Sequence, residues 1–136
     1  MIQYRVGNNL DIDETIDLYR ASTLGERRPI DDRDRIHRMI SNSNLIITAW
    51  EGELLVGISR AISDFSYVTY LSDLAVRKSH QKLGIGKELI RRTQVESGPQ
   101  AQLVLLAAPA AAEYYPHIGF IHHPRAWLLE AGEQLR

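Results

Sequence analysis

Apolar and polar positions change period several times along the 136 residues. Ile2 to Val6 alternates as a short strand, and Gly7-Asn8-Asn9 turns the chain into Asp11, an N-cap candidate. Ile12, Ile16, Tyr19 and Thr23 then recur at helical spacing, with Asp13, Glu14 and Asp17 near the positive end of that helix. Gly25 to Pro29 breaks the pattern, and Asp31 or Asp32 caps a second short helix with Ile36, Met39 and Ile40 on its apolar face. Leu45 to Trp50 and Glu53 to Ala61 read as strands joined at Glu51-Gly52, where Gly supplies the positive φ of a tight hairpin. Tyr67 to Val76 is a further strand. A helix follows from about Gly84 to Glu96, with Ile85, Leu89 and Ile90 inward, and Ser97-Gly98-Pro99 stops it. Leu103 to Ala107 reads as a short buried strand and Ala110 to Tyr115 as a short helix. Gly119-Phe120-Ile121 begins another strand and Arg125 to Glu130 forms the last.

The order β-α-α-β-β-β-α-β-α-β is mixed. Strands 2, 3 and 4 can pair antiparallel through short turns, whereas strand 4, helix and strand 5 make a βαβ crossover and a parallel pair. A mixed α/β sheet with helices on its faces is expected, as a single domain over residues 1–136, since no linker or repeat divides the chain.

Composition narrows the function. There is no cysteine, which removes a disulfide scaffold, a Cys-type zinc site and a thiol nucleophile, and points to a reducing compartment. Sixteen basic against seventeen acidic residues give a net charge of −1, unsuited to a dedicated nucleic-acid binder. The longest apolar run, Leu103 to Ala112, is too short to span a bilayer, and the start of the chain lacks the features of a signal peptide. The expectation is therefore a cytoplasmic protein with neither nucleic-acid nor membrane partner. The five histidines show no metal-ligand spacing, and adjacent His122 and His123 point apart in a strand, so no metal is expected.

Charge is unevenly placed. Between Arg77 and Arg92 stand six bases (Arg77, Lys78, Lys82, Lys87, Arg91 and Arg92) against the single acid Glu88. Within this stretch, Gln81-Lys82-Leu83-Gly84-Ile85-Gly86-Lys87 lies between a strand and a helix, where unpaired N–H groups and the helix dipole favour an anion. A Walker A loop would need Gly at Gln81 and Ser or Thr at Glu88, and a dinucleotide fingerprint would need Gly at Leu89. What remains is the pyrophosphate of coenzyme A.

Gln81-x-x-Gly84-x-Gly86, following a strand that ends Asp73-Leu74-Ala75-Val76, resembles the cofactor loop of the GNAT superfamily of acyl-CoA N-acyltransferases. Tyr115-x-x-x-Gly119-Phe120 resembles the second motif of that family, and the element order agrees over nearly the whole chain. The resemblance implies a GNAT fold with strands 4 and 5 splayed apart. It implies acetyl-CoA as cosubstrate, its pantetheine arm paired to the backbone of Leu74, Ala75 and Val76. Gln81, Lys82, Leu83, Gly84, Ile85, Gly86 and Lys87 form the pyrophosphate loop, mainly through main-chain amides. Tyr115 takes the position of the general acid that protonates the leaving thiolate, and Tyr114 a packing position. Tyr70 and Ser72 correspond to the acceptor-facing set. Strand alternation then puts Asp73 on the opposite face, either structural or a base working through water. Many relatives carry Asn near the end of strand 5, where this chain has Ala107-Ala108-Pro109.

Arg27 and Arg28, in the loop after the first helix, can hold an acidic group on the acceptor or can simply be solvated surface. The acceptor is a small-molecule or peptide amine. A homodimer is open to such a chain, with Ala126-Trp127-Leu128-Leu129 as an interface or exchanged strand, or else as a core strand. The competing function is a non-catalytic CoA-binding or regulatory module on the same fold.

Overall fold

The computed structural model describes residues 1–136, which divide into two compact units, Met1–Leu106 and Ala107–Arg136. The first unit contains β1 (Ile2–Val6), α1 (Ile12–Ala21), α2 (Arg33–Ser41), β2 (Leu45–Glu51), β3 (Leu54–Ser63), β4 (Val68–Val76), α3 (Ile85–Ser97) and β5 (Gln102–Val104). The strands form one sheet in the order β1-β2-β3-β4-β5, antiparallel except for the parallel β4–β5 pair. No helix is long and apolar enough to cross a membrane.

Local chemistry sets the boundaries. The Asp11 carboxylate accepts from the N–H groups of Asp13 and Glu14, and Asp32 accepts from Arg35, so both helices begin on the capping residues that the pattern marks. Gly52 has φ +59 in the β2–β3 turn. One face of the sheet carries α1 and α2, whose Ile12, Ile16, Leu18, Tyr19, Ile36 and Ile40 pack with Ile46, Leu55, Ile58 and Ala75. The other face carries α3. There a Cβ on Gly57 would lie 3.0 Å from Leu89 Cδ1, and Ser59 and Thr93 share a buried hydroxyl contact of 2.7 Å.

Strict alternation fails once, in β4. Arg60 pairs with Asp73 and Ala61 with Leu71, so Ser72 is an extra residue opposite β3. Ile62, Arg60 and Ile58 share one face of β3, and their partners are Tyr70, Asp73 and Ala75. Tyr70 and Asp73 therefore share a face, against the expectation from simple alternation that they are opposed. The bulge carries Asp73 onto the α1 side.

In the second unit a 3₁₀ turn, Pro109–Ala111, precedes α4 (Tyr114–His117). The expected short helix thus lies a few residues later and contains Tyr115 and Pro116. Proline is accommodated because it falls in the first turn, where a backbone donor has no helical acceptor in any case. The strands expected at Gly119-Phe120-Ile121 and Arg125 to Glu130 are absent, and β5 spans only Gln102–Val104 rather than reaching Ala107. Apolar patterning marks a segment able to pair, but a strand exists only where a ladder partner takes up its N–H and C=O groups. Trp127 and Leu128 are correspondingly exposed, at 94% and 63%.

After α1 the chain makes a 3₁₀ turn, Thr23–Arg27, so close to the helix end that a Cβ on Gly25 would lie 2.6 Å from the Tyr19 carbonyl oxygen. Gly25→Ala must displace backbone and is expected to cost about 1–3 kcal/mol of stability, read from the urea midpoint. An unchanged midpoint would show that the turn yields freely.

Candidate active site

The segment between β4 and α3 is an anion cradle built from main chain. Arg77 N–H closes the ladder on Val56 O, His80 N–H turns back to Arg77 O, and the next helical hydrogen bond is Glu88 N–H to Gly84 O. Between them, the six consecutive N–H groups of Lys82 to Lys87 donate to no acceptor in the protein. Lys82 adopts φ +64, a conformation that costs a non-glycine residue about 1–2 kcal/mol. Gly84 caps α3 with φ +82, and the space a Cβ would fill there holds no atom within 4 Å. Gly86 lies in the first turn of α3. These features fit a pyrophosphate group.

The basic side chains contribute less than their number suggests. Arg77 is buried, its Nε donating to Leu55 O at 2.7 Å and Nη2 to Asp17 Oδ2 at 2.8 Å. Arg91 and Arg92 both bond Glu88 at 2.7 Å, which holds that carboxyl down at about 2. Lys78, Lys82 and Lys87 remain exposed.

β4 supplies an open edge beside the cradle. β5 pairs only with Val68, Thr69 and Tyr70, so β4 from Leu71 to Val76 has no neighbour on that side. The Arg77 N–H to Val56 O bond marks Gly57–Val76 as a non-hydrogen-bonded pair. Ladder alternation then turns the N–H and C=O groups of Leu74 and Val76 outward and those of Ala75 toward β3. Gln81 Nε2 donates to the Val76 carbonyl at 3.0 Å, fastening the start of the loop to this edge.

At the bulge, Asp73 is enclosed, with a side-chain exposure of 0%. It accepts from Tyr19 Oη at 2.7 Å, Arg28 Nε at 2.6 Å and Arg60 Nε at 2.5 Å. Arg60 also donates to Ser43 Oγ and Ser72 Oγ, and Arg28 Nη2 donates to the Ser72 carbonyl at 2.8 Å. Burial opposes the ionised Asp73. The Arg60 hydrogen bond and charge, the charge of Arg28 and the Tyr19 hydroxyl outweigh it and leave the carboxyl below its usual range. Tyr19 is pushed well up, by burial first and then by the charge of Asp73.

In the second unit, Gly119 at φ +110 reverses the chain after α4, and Phe120 N–H returns to Tyr115 O at 3.0 Å. The Phe120 ring thereby meets the Tyr115 ring edge-on, with centroids 5.4 Å apart. This accounts for the Tyr-x-x-x-Gly-Phe spacing. Burial, and then neighbouring Tyr114, raises the Tyr115 phenol, so it carries its proton at neutral pH.

Residues 27–132 match the family model for the acetyltransferase (GNAT) domain. The chain belongs to the GNAT acetyltransferase family. This GNAT chain is 27% identical over 126 residues to the uncharacterised N-acetyltransferase ycf52 of Pyropia yezoensis, covering 85% of this chain and 71% of that one. It is 28% identical over 123 residues to a ycf52-like relative in Prochlorococcus marinus, covering 82% and 66%. Its fold is that of a putative acetyltransferase from Deinococcus radiodurans R1 (TM-score 0.77, 20% identity, 96% and 88% covered). A GNAT-family acetyltransferase from Streptococcus pneumoniae TIGR4 is similar (TM-score 0.71, 23% identity, 95% and 98% covered). So is an aminoglycoside N-acetyltransferase, AAC(6')-Iy, solved in complex with CoA (TM-score 0.72, 16% identity, 96% and 94% covered).

Of the residues singled out in this GNAT sequence, Leu74, Val76, Gln81 and the Lys82–Lys87 loop come together along one edge of the first unit, with Tyr70, Ser72 and Asp73 immediately before them on β4. Arg28 is not simply solvated surface, since two of its donors bind Asp73 and the Ser72 carbonyl at the bulge, and a third binds the Arg27 carbonyl. Sequence reasoning missed Tyr19, Ser43 and Arg60 as partners of Asp73. An arginine inside an otherwise apolar strand was the available signal, because such a charge needs a buried counter-ion.

Asp73→Asn leaves two guanidiniums around a neutral amide and is expected to cost about 3–5 kcal/mol. Because the folded-state pKa of Asp73 is depressed, its contribution is present above the unfolded value of about 3.9 and is lost as pH falls through the folded one. Wild-type stability should therefore drop steeply below about pH 4, and Asp73→Asn should flatten that part of the curve. An equal slope in both proteins would contradict the assignment.

Proposed function

We propose that this GNAT-family protein transfers the acetyl group of acetyl-CoA to a primary amine by direct attack on the thioester. The observation that carries the reading is the run of six uncommitted amides, Lys82 to Lys87, continuous with the open edge of β4. A pyrophosphate takes the amides, with Lys78, Lys82 and Lys87 adding a diffuse attraction, and the amide-bearing pantetheine arm takes Leu74 and Val76 as an added strand. The thioester is then directed to the bulge, where β5 has left β4.

An alkyl amine is neutral to only about one part in 2,500 at pH 7, and the neutral form is the nucleophile. Attack makes an oxyanion, which main-chain donors freed by the splay stabilise, and collapse expels a thiolate. Tyr115, which holds its proton at neutral pH, is the donor proposed for that sulfur. Tyr70 and Ser72 border the acceptor. Asp73 is proposed here as the anchor of the bulge rather than the base, because three donors occupy it and its carboxyl is held ionised.

Gly86→Val places a side chain over the amides, so calorimetry should show loss of CoA binding by a protein whose melting temperature is little changed. Unchanged CoA affinity would remove the loop assignment. A panel of primary amines should release free thiol from acetyl-CoA. CoA binding without turnover on any of them would return the protein to a cofactor-binding module.

Tyr115→Phe should lower kcat roughly 10²-fold with little change in acetyl-CoA affinity, and Tyr114→Phe should be nearly silent. Two similar small effects would assign Tyr115 to packing alone.

A further inference from the structure

The charges at the bulge do not balance. Two guanidiniums, Arg28 and Arg60, converge on one carboxylate, and Tyr19 is neutral, which leaves the cluster at a net charge of +1. Arg60 alone would neutralise Asp73, and its side chain is 8% exposed. Arg28 is the excess cation, 23% exposed, and it binds the main-chain carbonyl of Ser72, the extra residue of the bulge.

Asp73 is not a free base at this site. Asp73 accepts from three donors, and the Tyr19 hydroxyl is committed to Asp73. From β4, Tyr70 faces the same side and is 37% exposed. Glu26 and Arg27 stand exposed on the turn that carries Arg28. An excess positive charge disfavours a second cation nearby, and this is one established way to make an amine nucleophilic.

We propose that Arg28 is a positioning residue acting by charge: its uncompensated guanidinium disfavours the ammonium form of the acceptor at the β4 bulge and so supplies the neutral amine without a dedicated base. The inference rests on the acetyl-transfer reading, which puts the thioester beside Leu71 to Asp73. In sequence, the ammonium releases one proton to solvent and the nitrogen lone pair attacks the carbonyl carbon. The C–N bond forms, the C–S bond breaks, and the second nitrogen proton ends on the departing sulfur, giving the free thiol. Arg28 exchanges no proton.

The test is the pH dependence of kcat at saturating acceptor, which reports the enzyme-bound amine. With an alkyl amine, the wild-type acidic limb should break about one unit or more below the solution pKa of that amine. Arg28→Gln should move the break up by about one unit, and Arg28→Lys should restore it. At pH 7, Arg28→Gln should slow an alkyl amine about tenfold more than a weakly basic amine such as trifluoroethylamine, which needs no such help. Glu26→Gln should leave the break in place. A wild-type break at the solution pKa, equal losses for both amines, or a break that follows Glu26 would each overturn the inference. The wild-type limb decides the matter even if Arg28→Gln fails to fold. Thiol release from no amine would overturn the acetyl-transfer reading itself, whereas turnover with an unshifted break overturns this inference alone.

Discussion

Asp73 is enclosed by groups from three elements that are distant in sequence: Tyr19 on α1, Arg28 after the following turn, and Arg60 on β3. A carboxylate removed from water costs several kcal/mol unless hydrogen bonds and opposite charge replace its hydration. The register of β4 is fixed by that requirement. Sliding the strand by one residue would carry Asp73 to the α3 face, among Leu89 and Thr93, and leave two guanidiniums unpaired. The extra residue at Ser72 is the local solution, because it brings Asp73 to its partners while Thr69 stays on the opposite side, bonded to Ser97. The bulge and the charge cluster therefore stand or fall together.

The open edge of β4 beyond the bulge depends on the same register. With Asp73 and Ala75 turned to the α1 side, Leu74 and Val76 direct their main-chain groups to the edge that β5 does not cover. Arg77 then ties the end of the strand to Leu55 and Asp17, and Gln81 ties the start of the loop to Val76. Six amides are left pointing at nothing in the protein, a state tolerable at the surface and suited to a polyanionic ligand. The proposed cofactor site is built from main chain more than from side chains. This explains why glycine spacing carries more information here than the count of bases, three of which are occupied by Asp17 and Glu88.

Much of this was legible in the sequence where the cause is local. Asp11 and Asp32 announce helix starts, Gly52 a hairpin, and Gly84 the approximate start of α3, since each acts within a few residues. The Tyr115 to Phe120 spacing was legible only as a family resemblance, and the structure shows its local basis as one short helix followed by a glycine turn. The bulge at Ser72 was not, because period-two alternation contains no signal for an inserted residue. Its cause lies in Arg60 and Arg28, 12 and 44 positions from Ser72. The strands expected beyond Gly119 failed in a related way, since patterning shows the face a strand would bury but not whether a neighbour is present to pair with it.

If the Lys82–Lys87 amides and the open edge of β4 form one cofactor site, both must respond together when CoA is titrated into the wild-type protein, and amide-resolved NMR reads each of them separately. Large, saturable shifts and slowed hydrogen exchange are expected at Lys82 to Lys87 together with Leu74 and Val76, with small changes at Ala75, whose amide already serves the β3 ladder. Saturable binding that leaves those amides unmoved, or moves the loop without the β4 edge, would contradict a single continuous site.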